Sequence, residues 1–154
     1  MEKVFPDVYP EDLLERIIED GAEENVMENV YRIANYGNND RDAFLSTFLT
    51  QINAGLHNDR DSYVLSSLGQ IDIGQYSTSL SISKKRAKRI LKMIERKYGG
   101  PILLKGTIHP EYGLSMLTKD SKSNRTCDKD HIDWWLYDNA DPSAHFKIIE
   151  LEEV

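Results

Sequence analysis

The stretch that decides the fold is YSTSLSISKKRAKRILKMI, residues 76–94, in which a short strand runs into a strongly basic helix. Tyr76 to Leu80 is strand-like, and alternation puts Ser77 and Ser79 on one face and Thr78 on the other. Ser83 suits the N-cap of the helix that follows. The apolar stripe of this helix consists of Ala87, Ile90, Leu91 and Ile94, and Gly99 and Gly100 would end it. The pattern predicts a strand–helix unit packed against a sheet.

The residues on both sides of this unit predict further elements. A helix is expected between Pro10 and Gly21, a strand from Asn29 to Ala34, and a second helix from Asp40 that contains Phe44, Leu45, Phe48, Ile52 and Leu56. Residues 57–75 predict a long loop, 101–108, 131–137 and 145–151 predict strands, and 119–130 predict a charged loop. Regular strand–helix alternation stops near residue 100. We therefore expect an α+β fold, with a mixed or antiparallel sheet and about three helices on one side.

Composition describes one globular domain, residues 1–154, with 40% hydrophobic and 29% charged residues. The single cysteine, Cys127, excludes an intrachain disulfide and favours a reducing compartment. Its polar surroundings predict a surface thiol rather than a nucleophile. The first residues lack the apolar core of a signal peptide, and no apolar run approaches the roughly 20 residues of a membrane span. We expect a cytoplasmic protein with no membrane partner.

Charge is unevenly distributed along the chain. The formal net charge of −7 disfavours binding of nucleic acid by the whole surface, yet residues 84–97 hold eight of the 19 basic residues. Such a helix can track phosphates, and the side chains that would do so are Lys84, Lys85, Lys88, Arg89 and Lys92. The alternative is a solvated outer face that balances an acidic body. DNA binding by this helix ranks third among the hypotheses for function.

Common catalytic and metal signatures are missing from the sequence. It contains no Walker or Rossmann glycine-rich loop and no Gly-x-Ser-x-Gly elbow. His109-x-Glu111 and His131-x-Asp133 each place two ligand types on one side of an extended segment. Neither pair has a cysteine or a second histidine nearby, so we expect no metal site.

Three predicted strands carry polar side chains that would converge if the strands are neighbours. Arg32 shares a strand face with Val30 and Ala34 and needs an anionic partner or open water there. His131, Asp133 and Trp135 share a face with Tyr137, which leaves Ile132, Trp134 and Leu136 for the core and predicts that at most one of the two tryptophans is a core residue. With Ser77 and Ser79, these are the parts of a cleft for a phosphate-bearing ligand that can stack.

The order Tyr31-Arg32 on a strand, a helix, then Tyr-Ser-Thr-Ser-Leu before an amphipathic helix resembles the arginine–serine–glutamate class of mono-ADP-ribosyltransferases. The resemblance covers residues 28 to about 108. It implies that NAD is the substrate, that Arg32 grips a phosphate of NAD, and that Ser77-Thr78-Ser79 braces the cleft beside the nicotinamide ribose. His131 and Trp135 would line the same cleft.

The third motif of that family is Glu-x-Glu or Gln-x-Glu, whose glutamate stabilises an oxocarbenium-like state. The strand at the expected place reads His131-Ile132-Asp133, and Glu150-Leu151-Glu152 has the motif's letters near the end of the sequence. The resemblance therefore implies Asp133 or Glu152 as the catalytic acid, and aspartate reaches one methylene less than glutamate.

Residues 5–10 and 131–135 also look like uncharacterised proteins of Gram-positive phages and mobile genetic elements, a similarity that carries no chemistry. Two leading hypotheses follow. One is an NAD-consuming ADP-ribosyltransferase or NAD glycohydrolase. The other is a non-catalytic accessory protein that binds a nucleotide or a protein partner through the same cleft.

Overall fold

A computed structural model describes residues 3–53, 72–95, 100–125 and 128–149. Within them lie three α-helices and six strands, which are α1 (Leu13–Asp20), α2 (Thr47–Asn53), α3 (Lys84–Ile94), β1 (Met27–Ala34), β2 (Thr78–Ser81), β3 (Ile102–Ile108), β4 (Gly113–Leu117), β5 (His131–Leu136) and β6 (Phe146–Ile149). Predictions for residues 54–71, for Gly99, for Cys127 and for Glu150 to Glu152 fall outside the described residues.

The strands form one antiparallel sheet in the order β4-β5-β2-β1-β3-β6. The expected α+β class with an antiparallel sheet and three helices is confirmed. The strand register shows which side chains share a face of the sheet. Tyr31 of β1 pairs with Ser81, and Ser81 pairs with His131 of β5. Side chains of paired residues point to the same face. All three helices pack on that face, hereafter the helix face.

Two of the predicted helix boundary signals, at Ser83 and Gly21, are confirmed. The Ser83 hydroxyl accepts a hydrogen bond of 3.0 Å from the Arg86 amide at the start of α3. Gly21 ends α1 with φ +117°, a left-handed conformation that favours glycine.

The predicted helix from Asp40 to Leu56 is wrong in its first half. Asp40 caps a 3-10 helix, Arg41–Phe44, after which Leu45 is extended and α2 begins at Thr47. Phe44 packs in a core on one face of the sheet and Phe48 in a core on the other. The extended break lets neighbouring segments reach both faces, and helical periodicity alone did not reveal it.

The face opposite the helices closes on itself because the sheet is strongly coiled. The rings of Trp134 and Phe146 lie 6.1 Å apart between centroids, and Phe44 contacts both. Their strands, β5 and β6, are four positions apart in the sheet, which would be roughly 19 Å in a flat sheet. Gly106 permits this packing, since a Cβ there would clash with the ring of Phe146. An apolar core therefore fills the inside of the coil.

Strand β4 was not predicted from the sequence. It pairs with β5 along its whole length and is buried from Gly113 to Met116. Ser115 is fully buried within it, so both faces of this strand are covered. Since β4 covers its outer edge, β5 is an interior strand with a core on each face. The expectation that at most one tryptophan is a core residue is therefore wrong, because Trp134 and Trp135 are both 0% exposed.

Candidate functional site

The guanidinium of Arg32 is used to hold the fold together. It donates to the carbonyl oxygens of Ala43 at 2.8 Å, Ser79 at 2.9 Å and Leu45 at 3.5 Å. Strands β1 and β2 share one registered pair, Tyr31 with Ser81, and Arg32 bridges them where they diverge. Burial lowers the pKa of Arg32 to about 10, so the group stays charged at neutral pH. The predicted need for an anion or open water is met instead by three carbonyls.

Asp133 is the centre of a buried polar network on the helix face. It is 1% exposed and accepts hydrogen bonds from Ser77 at 2.6 Å and Thr118 at 2.7 Å. The Nη2 of Arg125 lies 2.8 Å from the same carboxylate. A carboxylate that is enclosed and satisfied by three donors has no open side for a substrate.

The network extends through Arg125 to a second buried acid, Asp20. Arg125 Nε lies 3.0 Å from Asp20, and the side chains of Ser121 and Ser123 donate to the same carboxylate at 2.6–2.8 Å. The guanidinium also lies 5.6 Å from the centroid of the Trp135 ring, a cation–π distance. The charged segment 119–125 is therefore anchored by polar contacts, although it has no apolar anchors.

The hydrogen bonds of Thr118 determine the proton position on His131. The Thr118 hydroxyl has one proton, which it donates to Asp133, and its oxygen lies 2.6 Å from Nδ1 of His131. It must therefore accept a hydrogen bond from Nδ1–H, so we assign the Nδ1–H tautomer to neutral His131. The other ring nitrogen, Nε2, is then an acceptor that bonds to no described residue.

A groove runs between α3 and the neighbouring strands β1, β2 and β5. It has a volume of about 300 Å³, at the lower end of the range for small-molecule sites. Its apolar lining residues are Tyr31, Ile33, Leu80, Ala87, Ile90 and Ile94, and its polar lining residues are Arg32, Asn35, Ser79, Ser81, Asp128 and His131. Ile90 and Ile94 were expected to face the core, and they are half-buried because they line this groove.

A cation with an unsatisfied donor lies beside the groove. Arg86 Nε is buried without a hydrogen-bond partner among the described residues, and it is 3.6 Å from the carboxylate of Asp128. That separation is too long for a hydrogen bond. Arg86 is thus ion-paired with Asp128, a lining residue of the groove, without a hydrogen bond from Nε.

The structure brings together only some of the residues predicted for the cleft. Arg32, Ser79 and His131 line the groove. Ser77 and Asp133 are buried within the network, and Trp135 is buried against Arg125, so none of the three lies in an open cleft. Thr78 is 1% exposed and donates to the carbonyl of Phe44 at 2.6 Å, and Glu152 lies outside the described residues.

Sequence reasoning missed the residues that complete the network, above all Thr118 and Arg125. Their partners Asp20 and Asp133 are remote in sequence or on another strand, so no local motif joins them. One signal was present, since Ser121, Ser123 and Arg125 alternate along a segment with no apolar residue. Such spacing favours three polar side chains directed to one side.

The described residues contain no group of three or more histidine, cysteine or acidic side chains that could hold a metal ion. His109 instead packs against His145, whose ring accepts or donates a 2.9 Å hydrogen bond with Tyr112. In the same part of the chain, no helix is both long and apolar enough to cross a membrane.

Comparison of the chain with protein-family models, with curated proteins and with solved structures finds no match.

Proposed function

We propose that the chain is a non-catalytic binding protein whose groove beside α3 accepts a nucleotide. The observation that carries the proposal is the meeting of Ser79, Ser81 and His131 in one groove with a largely apolar lining. An apolar cleft with a few convergent polar groups is the usual form of a small-molecule site.

The lining offers a separate contact to each part of a nucleotide. The aliphatic side chains of Ile33, Ile90 and Ile94 form an apolar surface on which a base can lie. His131 Nε2 accepts a hydrogen bond, and the Ser79 hydroxyl can donate or accept one. The side chain of Arg86 is 40% exposed and lies beside Asp128 at the edge of the groove, where it can meet a phosphate.

The surroundings of Asp133 favour binding over NAD consumption. Its carboxylate is buried and engaged by Ser77, Thr118 and Arg125, so it is not presented to the groove. An enzyme of the mono-ADP-ribosyltransferase kind would then depend on Glu152 as its acid. NAD consumption therefore stays the alternative, and it has its own readout in the experiment below.

The test is calorimetric titration of the purified protein with NAD, AMP and adenosine. We expect binding of at least one of them, weakened more than tenfold by Ile90→Trp, which fills the groove. Met93→Trp is the matched control, because Met93 is on the same helix and 74% exposed outside the groove. Its affinity should equal that of the unchanged protein.

Two results would contradict the proposal. One is the lack of binding of all three ligands at millimolar concentration. The other is equal weakening by both tryptophan variants. Release of nicotinamide from NAD, abolished by Glu152→Gln, would instead support the enzymatic alternative.

A further inference from the structure

The outer face of α3 carries a concentration of positive charge that the groove does not use. The helix Lys84–Ile94 contains six basic residues and no acid in 11 positions, within a chain whose formal net charge is −7. Its inner side is fixed by Ala87 and Leu91, which are 2% and 1% exposed and pack on the sheet. The cations therefore project from a rigid element.

Five of these cations occupy one side of the helix, namely Lys84, Lys85, Lys88, Arg89 and Lys92. At 100° per residue they span an arc of about 140°, and the centre of this arc points about 110° away from the mean direction of Ala87 and Leu91. None of the five makes a salt bridge or a hydrogen bond to another side chain that the structure describes. The sixth, Arg86, lies outside this arc near Asp128. The charge of this face is thus not neutralised by described acids of the same chain.

The composition of this face favours a phosphate backbone over a protein partner. Four of the five cations are lysines, a residue type depleted in protein–protein interfaces. Aromatic residues are enriched in such interfaces, and the helix Lys84–Ile94 contains none. Met93 is the exposed apolar residue next to them, and single exposed apolar side chains are common on surfaces. A helix with its side chains is about 10–12 Å across, close to the 12 Å width of the DNA major groove.

We propose that the outer face of α3 binds the phosphates of double-stranded DNA without sequence specificity. Specific recognition of bases usually requires asparagine, glutamine or several arginines directed at base edges, and this arc has one arginine, Arg89. Lysines contact phosphates as point charges and give affinity and orientation. The chain has a formal net charge of −7, so we expect the rest of its surface to repel DNA and the contact to be limited to this face.

The experiment measures fluorescence anisotropy of a labelled 20-base-pair duplex titrated with the protein at 25–200 mM NaCl. With up to five phosphates neutralised, the slope of log K against log salt should be about −3 to −4.5. The triple variant Lys85→Gln, Arg89→Gln, Lys92→Gln should bind at least tenfold more weakly and flatten that slope.

A matched control carries the same change of net charge elsewhere. Lys119, Lys122 and Lys147 are exposed and lie outside α3, so their triple glutamine variant should retain DNA affinity within about twofold. Three results would overturn the proposal. They are lack of binding at 25 mM NaCl, equal losses in the two triple variants, and binding of labelled polyglutamate as tightly as the duplex, which would indicate an acidic protein as the partner.

Discussion

The two faces of strand β5 are both buried, but they are held by different interactions. On the coiled side, Ile132 and Trp134 lie in an apolar core closed by Phe44 and Phe146. On the helix face, Asp133 and Trp135 lie within a network of charges and hydroxyls that includes Arg125. One strand thus separates an apolar core from a core with a polar centre.

The difference shows how each face constrains its surroundings. Apolar packing is not directional, so the coiled side needs only a closed, filled volume. The polar network requires particular partners in particular positions, because a buried charge without them is costly. That requirement fixes segment 118–125 over the helix face and sets the proton position on His131 beside the groove.

The largest expected effect on the free energy of unfolding comes from removing a large side chain from the apolar core on the coiled side. Trp134→Ala removes a fully buried indole that contacts Phe44 and Phe146, and we expect it to lower the free energy of unfolding by about 4 kcal/mol. Urea denaturation measures the change.

Trp134→Phe is the control that separates the loss of packing volume from the loss of a hydrogen bond. The Trp134 indole N–H has no partner among the described residues, so the phenyl ring loses volume but no hydrogen bond. We expect a loss of about 1–2 kcal/mol. If Trp134→Ala cost less than 1 kcal/mol, the coiled side would not be a packed core.

A somewhat smaller effect is expected on the helix face. Asp133→Ala leaves Arg125 with Asp20 as its remaining carboxylate and strands two hydroxyls, so the free energy of unfolding should fall by about 3 kcal/mol. The double variant Asp133→Ala, Arg125→Met should be less destabilised than the single one. Additive losses in this double-mutant cycle would show that the two side chains do not interact.

The smallest expected effect is a pH dependence of the free energy of unfolding that comes from Asp20 in the polar network of the helix face. Burial alone would raise the pKa of Asp20, but hydrogen bonds from Ser123 and Ser121 and the contact with Arg125 outweigh it and hold the pKa below 3.8. Because the folded pKa lies below the unfolded one, this stabilisation is present above about pH 4 and is lost as the pH falls through the folded value.

Unfolding measured from pH 3 to pH 6 tests this assignment. The stability gap between the unchanged protein and Asp20→Asn should narrow as the pH falls. The exposed Asp42→Asn serves as the control, with a gap that stays small throughout. A gap for Asp20→Asn that is constant or widens toward pH 3 would contradict the direction of the pKa shift.

Local patterns predicted much of the secondary structure. The caps at Ser83 and Gly21 were recognisable because each is a property of a few adjacent residues. Alternation correctly assigned Asp133 and Trp135 to one side of β5 and Trp134 to the other. It failed to tell that both sides are buried, since that depends on the two cores that pack on the faces of β5.

The candidate site was predictable only in part for the same reason. Arg32, Ser79 and His131 were singled out and do line one groove. Arg125 and Thr118 were missed because their partners are set by the fold. The role of Arg32 also differs from the expectation, since the chain supplies three carbonyls where an anion was expected.

The α+β class, the start of the basic helix after residues 77–79 and the charge of its outer face were predictable from the chain alone, because these follow from neighbouring side chains and short-range periodicity. Tertiary structure alone decided which polar residues are buried and which line the groove. Burial depends on strand order, on the coiling of the sheet and on contacts between residues about 100 positions apart, such as Asp20 and Arg125. Such contacts form only when the whole sheet is assembled.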